Sequence, residues 1–227
     1  MSHLHLPDGV LSWAVWAPAW LLAIVLLGIA AFASRHASPQ QVAYRGTLGA
    51  LVLAAMTLTL PLGPFEYHLS LLGVLGVLAG PAGAFEALFV VSAILAFAGH
   101  GGLTVIGLNA LVLGAGAAVG RPVYAALSPR LGVAGALAVA AGASQAVAGA
   151  AWTLVMIACL ERMPGAFGAR TTIAWIAGGA ALMWLIGVTV ETLVALGLGR
   201  FLARVKPELL PGGAPRVAVG VAGGGAR

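Results

Sequence analysis

The chain has 227 residues, 61% of them hydrophobic and only 7% charged, where a soluble domain carries about 25% charged residues. With 33 glycines and a mean hydropathy of +1.06, it reads as an all-α, polytopic helical membrane bundle with no separate soluble domain, its helices packed through small residues. The net charge of +5 is no nucleic-acid signature, because the basic residues lie between or after apolar runs and never cluster with aromatics. The single cysteine, Cys159, excludes an internal disulfide and reads as a small core residue.

In chain order, residues 1–12 form a leader, 13–206 the bundle and 207–227 a disordered tail rich in Gly, Ala and Pro. Apolar segments at 13–33, 47–62, 69–79, 82–98, 104–120, 132–160 and 171–201 predict about seven transmembrane segments. A span needs about 20 residues, so 69–79 is short. It either extends back through Tyr67 or is a re-entrant or broken element whose backbone must be covered by protein. Ala31-Phe32-Ala33 before Ser34 imitates a signal-cleavage site, but the leader carries Asp8 and no Lys or Arg, and the apolar run is too long for a signal. An external N-terminus puts nine of the 11 basic residues on the cytoplasmic side, leaving only Arg162 and Arg170 outside, so the expected topology is N-out with C-in.

That topology places the leader, the connection holding His68 and the connection holding His100 together on the external side, with His36 left on the other. Met1-Ser2-His3 offers a terminal amine, amides and an imidazole, a nitrogen set suited to square-planar nickel(II) or copper(II). After removal of Met1, Ser2-His3 still offers an amine, one amide and an imidazole; the plain alternative is a solvated tail. His68 lies where the chain turns back toward the membrane, and on its own reads as an interfacial side chain. Glu66 either orients an imidazole or is an exposed loop acid. Asp8, after Pro7, caps the following helix or shapes a turn, an outer-shell role being secondary.

Among the remaining polar residues, Gly99, Gly101 and Gly102 give the chain around His100 a tight path. Asn109 needs a polar partner inside the bundle, with Thr104 in the same region. Of the acids within spans, Glu86 reads as snorkelling or contacting a partner, and Glu191 as pairing with a base in the bundle or meeting a partner subunit. The tryptophans read as interfacial anchors or packing.

His5-Leu6-Pro7-Asp8-Gly9 resembles the opening of the substrate-binding membrane subunit, or S component, of cobalt and nickel energy-coupling-factor transporters. Tyr67-His68-Leu69, with Leu72-Gly73 and Gly80-Pro81, and the block Gly101-Gly102-Leu103-Thr104 with Gly107-Leu108-Asn109, resemble later stretches of that family in the same order. The resemblance extends over about residues 1–200. It implies that His5 takes the family's leader-histidine role and that His68 is the distant ligand; from their own settings, His100 reads as an outer-shell partner or gate and Asn109 as a support for the leader's backbone. Leu4 stands where the family has its initiator methionine, which leaves three arrangements open. Initiation at codon 4 restores the family's amine; His3 chelates with the actual terminus (Met1 or Ser2) while His5 assists; or metal binding is altered or lost.

The resemblance further implies Co2+ or Ni2+ as transported substrate, no cofactor, the inner (plasma) membrane, and a complex with a transmembrane coupling subunit, two cytoplasmic ATPases and often a small accessory membrane subunit. The chain holds no phosphate-binding loop, so it is expected to be neither the motor nor an enzyme. Two rivals differ in class. One is an intramembrane hydrolase using Ser144 with His100 as base; the other is a metal-independent small-solute permease or structural membrane protein.

Overall fold

The structure, a computed structural model, describes residues 8, 9, 11–62, 65–159 and 169–212, with backbone alone over several stretches that include 59–66. Five helices, α1 (Trp13–Ala33), α2 (Pro39–Thr57), α3 (Leu72–Phe97), α4 (Ile106–Cys159) and α5 (Ala169–Val205), are joined by one hairpin of β1 (Thr59–Leu62) and β2 (Phe65–His68). Among the described residues, α1, α3, α4 and the Trp184–Val205 part of α5 are long and apolar enough to cross a membrane. α1 coincides with the first apolar segment. Its Leu21, Ile24, Val25, Ile29 and Phe32 are all exposed, as an outward face solvated by lipid would be.

The segments 69–79 and 82–98 are two arms of one bent helix, α3. The bend lies at Gly80, whose φ of 73° lies in the left-handed region that glycine enters without steric cost, and Pro81 beside it removes a backbone donor. The first arm does not have to span by itself. Residues 72–77, with Ala79 and Gly80, are buried, so protein covers the break. The segments 104–120 and 132–160 are likewise arms of α4, bent at Gly132 with φ 67°. The stretch carrying Arg121 and Arg130, expected as a connection, is helical as far as that bend.

Other boundaries also differ from expectation. α2 starts at a capping box in which the Ser38 hydroxyl accepts from the Gln41 amide and the Gln41 side chain accepts from the Ser38 amide. It stops at Thr57 rather than running to residue 62. Pro61 cannot continue a helix and forces Leu60 into extended backbone, and β1 pairs with β2 in the register Thr59↔His68, Leu60↔Tyr67, Pro61↔Glu66 and Leu62↔Phe65.

Glu86 has a partner within the chain. It pairs with Arg45 at 3.5 Å, and Arg45 also donates to the Ser34 hydroxyl at 2.8 Å. Residues expected at the start of a disordered tail pack instead on the bundle. Leu210 is 2% exposed, and the Tyr124 hydroxyl donates to the Pro211 carbonyl at 3.1 Å. The later part of the expected tail, 213–227, lies outside the described residues.

The core lies between α3 and α4, where small residues bring backbones together. Gly73 faces Ala141 and Gly120, and Gly76 faces the Ala117 carbonyl, with no room for a Cβ at any of the three glycines. Leu72, Leu75, Leu88, Leu113 and Leu137 fill the remaining space and are fully buried. Gly76→Ala would drive a methyl into the Ala117 carbonyl with backbone on both sides, and is expected to destabilise the fold by about 1–3 kcal/mol. Gly28→Ala, where no atom lies within 4 Å of the added Cβ, should leave stability unchanged or raise it, and thermal unfolding in detergent compares the two.

Candidate metal centre

The root of the leader is fixed by its acid. The Asp8 carboxylate accepts the Leu103 amide at 2.9 Å and the Thr104 amide at 2.8 Å, and takes the Thr104 hydroxyl as a third donor. These amides lie just ahead of α4, at a helix start whose first donors have no partner within the helix and carry its positive end. Asp8 therefore holds the turn leading into α4 across 95 residues of sequence, not the helix that follows it. α1 has Ser12 at its N-cap, without a capping side-chain bond. The Thr104 hydroxyl, then the Thr104 amide and the Leu103 amide, hold the Asp8 carboxyl below the ordinary carboxylate range, against a small opposing effect of desolvation.

Neighbouring groups fit this dock. A side chain at Gly102 would collide with the Asp8 backbone and carboxylate. The Trp20 indole of α1 donates to the Thr104 carbonyl at 2.7 Å, and its ring meets Phe89 of α3 edge-on at 5.9 Å. Gly107 leaves room for the Trp20 backbone. Leu11 packs with Ala19, Val105 and Leu108 in a small apolar cluster. Asp8 and Leu11 thus give the leader one polar and one apolar anchor.

His68 ends β2 opposite Thr59, is half-buried, and has both ring nitrogens shielded from solvent. The turn after it is gripped from α5. Glu191, 1% exposed, accepts the Ser70 amide and hydroxyl, accepts the Leu71 amide on both oxygens at 3.1 Å, and accepts the Tyr67 hydroxyl at 3.3 Å. The Ser70 hydroxyl also lies 3.0 Å from the side-chain amide oxygen of Gln145 on α4, and the Tyr67 hydroxyl 3.4 Å from the Gly187 backbone carbonyl. Leu71 is held in left-handed backbone, φ 52°, a strain of about 1–3 kcal/mol that persists only where surroundings enforce it. Glu191 does pair structurally, but with the backbone at the start of α3 and not with a base.

The other expected residues are placed as follows. His100 is exposed between α3 and α4, its amide donating to the Leu95 carbonyl at 2.8 Å, with Gly99 and Gly101 at φ 82° and 126°. Asn109 is 2% exposed near the start of α4. Glu66 is described by its backbone alone, opposite Pro61. Met1, Ser2, His3 and His5 lie outside the described residues. The structure thus brings Asp8 and Thr104 together; among the described residues, no three His, Cys, Asp or Glu side chains gather into a group able to hold a metal. Ser144, the nucleophile of the hydrolase rival, is fully buried, whereas His100 is exposed.

Sequence reading missed the Glu191 grip, whose only signal is an acid in an apolar span, and read Trp20 as an interfacial anchor or packing residue without its bond to the Thr104 carbonyl. Because the docked Asp8 carboxyl is held below its ordinary value, the dock is complete above the usual carboxylate range and is lost as pH falls through the lowered value. Protection of the Leu103 and Thr104 amides, relative to their intrinsic exchange at each pH, should hold from neutral to mildly acid pH and fall only in strong acid. Asp8→Asn puts a donor group against backbone donors, so it should lower that protection by about tenfold or more at neutral pH and make it independent of the pH range in which Asp8 titrates.

Comparison with known proteins agrees with this architecture. No curated protein matches the chain significantly. The fold matches a crystal structure of a truncated transition metal transporter with a TM-score of 0.75 and 20% identity, covering 87% of this chain and 97% of that one. A second crystal structure, of a transition metal transporter, matches with a TM-score of 0.71 and 19% identity, covering 87% and 93%. At such identity these likenesses speak for the fold alone. The family model of the cobalt uptake substrate-specific transmembrane region, CbiM, matches residues 5–209, and the chain therefore belongs to that family of integral membrane components of metal uptake.

Proposed function

We propose that this chain captures Co2+ or Ni2+ on the external side of the plasma membrane with its leader and His68, and passes the ion inward as the S component of an energy-coupling-factor transporter. The observation that carries the reading is the Asp8 dock. It pins the chain directly behind the leader histidines to the start of α4, so the leader is held in place at its root. Ordering paid in advance lowers the cost of chelation.

In this reading the imidazoles of His5 and His68 are ligands, joined by nitrogens of the leader's backbone and terminus (Met1, Ser2 or their processed equivalent), with His3 as the competing leader histidine. Nitrogen donors suit both ions, and affinity generally rises from cobalt to nickel. The family match beginning at residue 5 supports the choice of His5. Asp8 and Thr104 hold the leader's root, Asn109 supports its backbone, Glu66 orients an imidazole, and exposed His100 serves as a gate for the entering ion. Reorientation driven by a coupling subunit and two cytoplasmic ATPases, with a small accessory subunit, delivers the ion inward. The distribution of Lys and Arg, which favours N-out/C-in, fits this arrangement, since that orientation puts the leader on the side from which the ion comes.

Equilibrium binding of Co2+ and Ni2+ to the purified chain tests the reading. His68→Ala should weaken binding by about 100-fold or more, since loss of even an outer-shell partner costs roughly 10- to 100-fold. His5→Ala should match His68→Ala if His5 is the leader ligand, while His3→Ala should do so if the first residues chelate. Intact mass of the mature N-terminus identifies the amine available to each. No binding by the unmodified chain, or unchanged binding in His68→Ala, removes the assignment.

A further inference from the structure

The turn that follows His68 is built in an unusual way for a helix start. A local Ser or Thr cap would satisfy the first amides of α3. Instead the cap is Glu191, 121 residues away on α5 and buried in an apolar helix, where an acid is costly to place and is therefore a functional hypothesis by default. The grip involves three elements. Tyr67 reaches it from β2, Ser70 and Leu71 from the turn, and Gln145 of α4 meets the Ser70 hydroxyl. A side chain at Gly187 would press on both Gln145 and Tyr67, so α5 runs close against this corner. The left-handed conformation of Leu71, a strained state for a branched apolar residue, lies three residues from His68 and is enforced from the same carboxyl.

We propose that Glu191 is the positioning residue for His68: by holding the Ser70 and Leu71 amides from α5, it fixes the turn that places the imidazole, so that the retention of a divalent transition metal ion depends on α5. This rests on the reading of His68 as a ligand. Glu191 touches no ion. It acts by keeping residues 68–71 in one conformation, and loosening it frees the ligand to leave the ion.

The test uses the full chain in detergent, with Co2+ as probe, read by equilibrium affinity, stopped-flow release and the visible ligand-field spectrum of the bound ion. Glu191→Gln keeps the volume but leaves one acceptor oxygen in place of two, so its amide hydrogens face either the Leu71 amide at the Oε2 position or the Ser70 and Tyr67 donors at the Oε1 position. It should weaken Co2+ binding by about tenfold or more, chiefly through faster release, with an altered spectrum. Tyr67→Phe and Ser70→Ala each remove one donor and should accelerate release by about two- to tenfold. Leu137→Ala, a core truncation away from the grip, should lower the unfolding temperature and leave spectrum and release rate as in the unmodified chain. In a His68→Ala background, Glu191→Gln should add nothing to the loss.

A Glu191→Gln protein with an unchanged spectrum and release rate overturns the proposal, as does a loss that adds fully to that of His68→Ala. If Glu191→Gln does not fold, Tyr67→Phe and Ser70→Ala decide, and unchanged release in both overturns it. Absence of Co2+ binding by the unmodified chain removes the functional reading and the proposal together, whereas binding that is lost in His68→Ala but indifferent to Glu191 removes the proposal alone.

Discussion

A helix start or break buried away from water leaves backbone groups that only the protein can serve, and this chain meets such groups with side chains far along the sequence. It has six acids, and two of them cap helix starts: Asp8 takes the amides before α4, and Glu191 those at the start of α3. A third, Glu86, is matched to Arg45. At the bend of α3 the remedy is burial, with Gly80 enclosed and the Arg121 guanidinium beside it. Acidic side chains are scarce here because each is costly in lipid, and Glu86 and Glu191 within the helices have identifiable ionic or backbone partners.

Close packing makes these long-range caps possible. A carboxyl group reaches backbone amides on another element only if the helices approach to a few ångströms, and the glycines at 73, 76, 120 and 187 let α3, α4 and α5 do so. The same packing covers the short first arm of α3, which by length cannot cross a membrane alone. Small residues thus contribute twice, through dispersion between backbones and by bringing distant acids within hydrogen-bonding range.

What local sequence carries was readable. The 13–33 helix follows from an uninterrupted apolar run, the irregularity of the third segment from its shortness, and the family from three short stretches in order. What depends on partners far along the chain was not. Nothing around Asp8 indicates amides 95 residues away, and nothing around Glu191 points to Ser70. The hairpin was hidden because Leu58, Leu60 and Leu62 continue the apolar run of α2, so hydropathy alone cannot separate a buried strand from the end of a helix. The helical course through Arg121 and Arg130 was hidden for the opposite reason, since charge was read as loop where it sits on a helix that continues beyond the apolar run.

The two caps also bear on what kind of ion this fold can hold. A helix start carries the equivalent of about half a positive charge, so bare starts of α3 and α4 near an ion site favour anions and oppose a dication. Asp8 and Glu191 cover both starts with acceptor oxygens, and each sits close in sequence to a proposed ligand: Asp8 three residues after His5, and the Ser70 amide gripped by Glu191 two residues after His68. Geometry and electrostatics therefore act together. The carboxyl groups that fix the Asp8 root and the Ser70–Leu71 turn are the same groups that set acceptor oxygens beside the positive ends of α4 and α3.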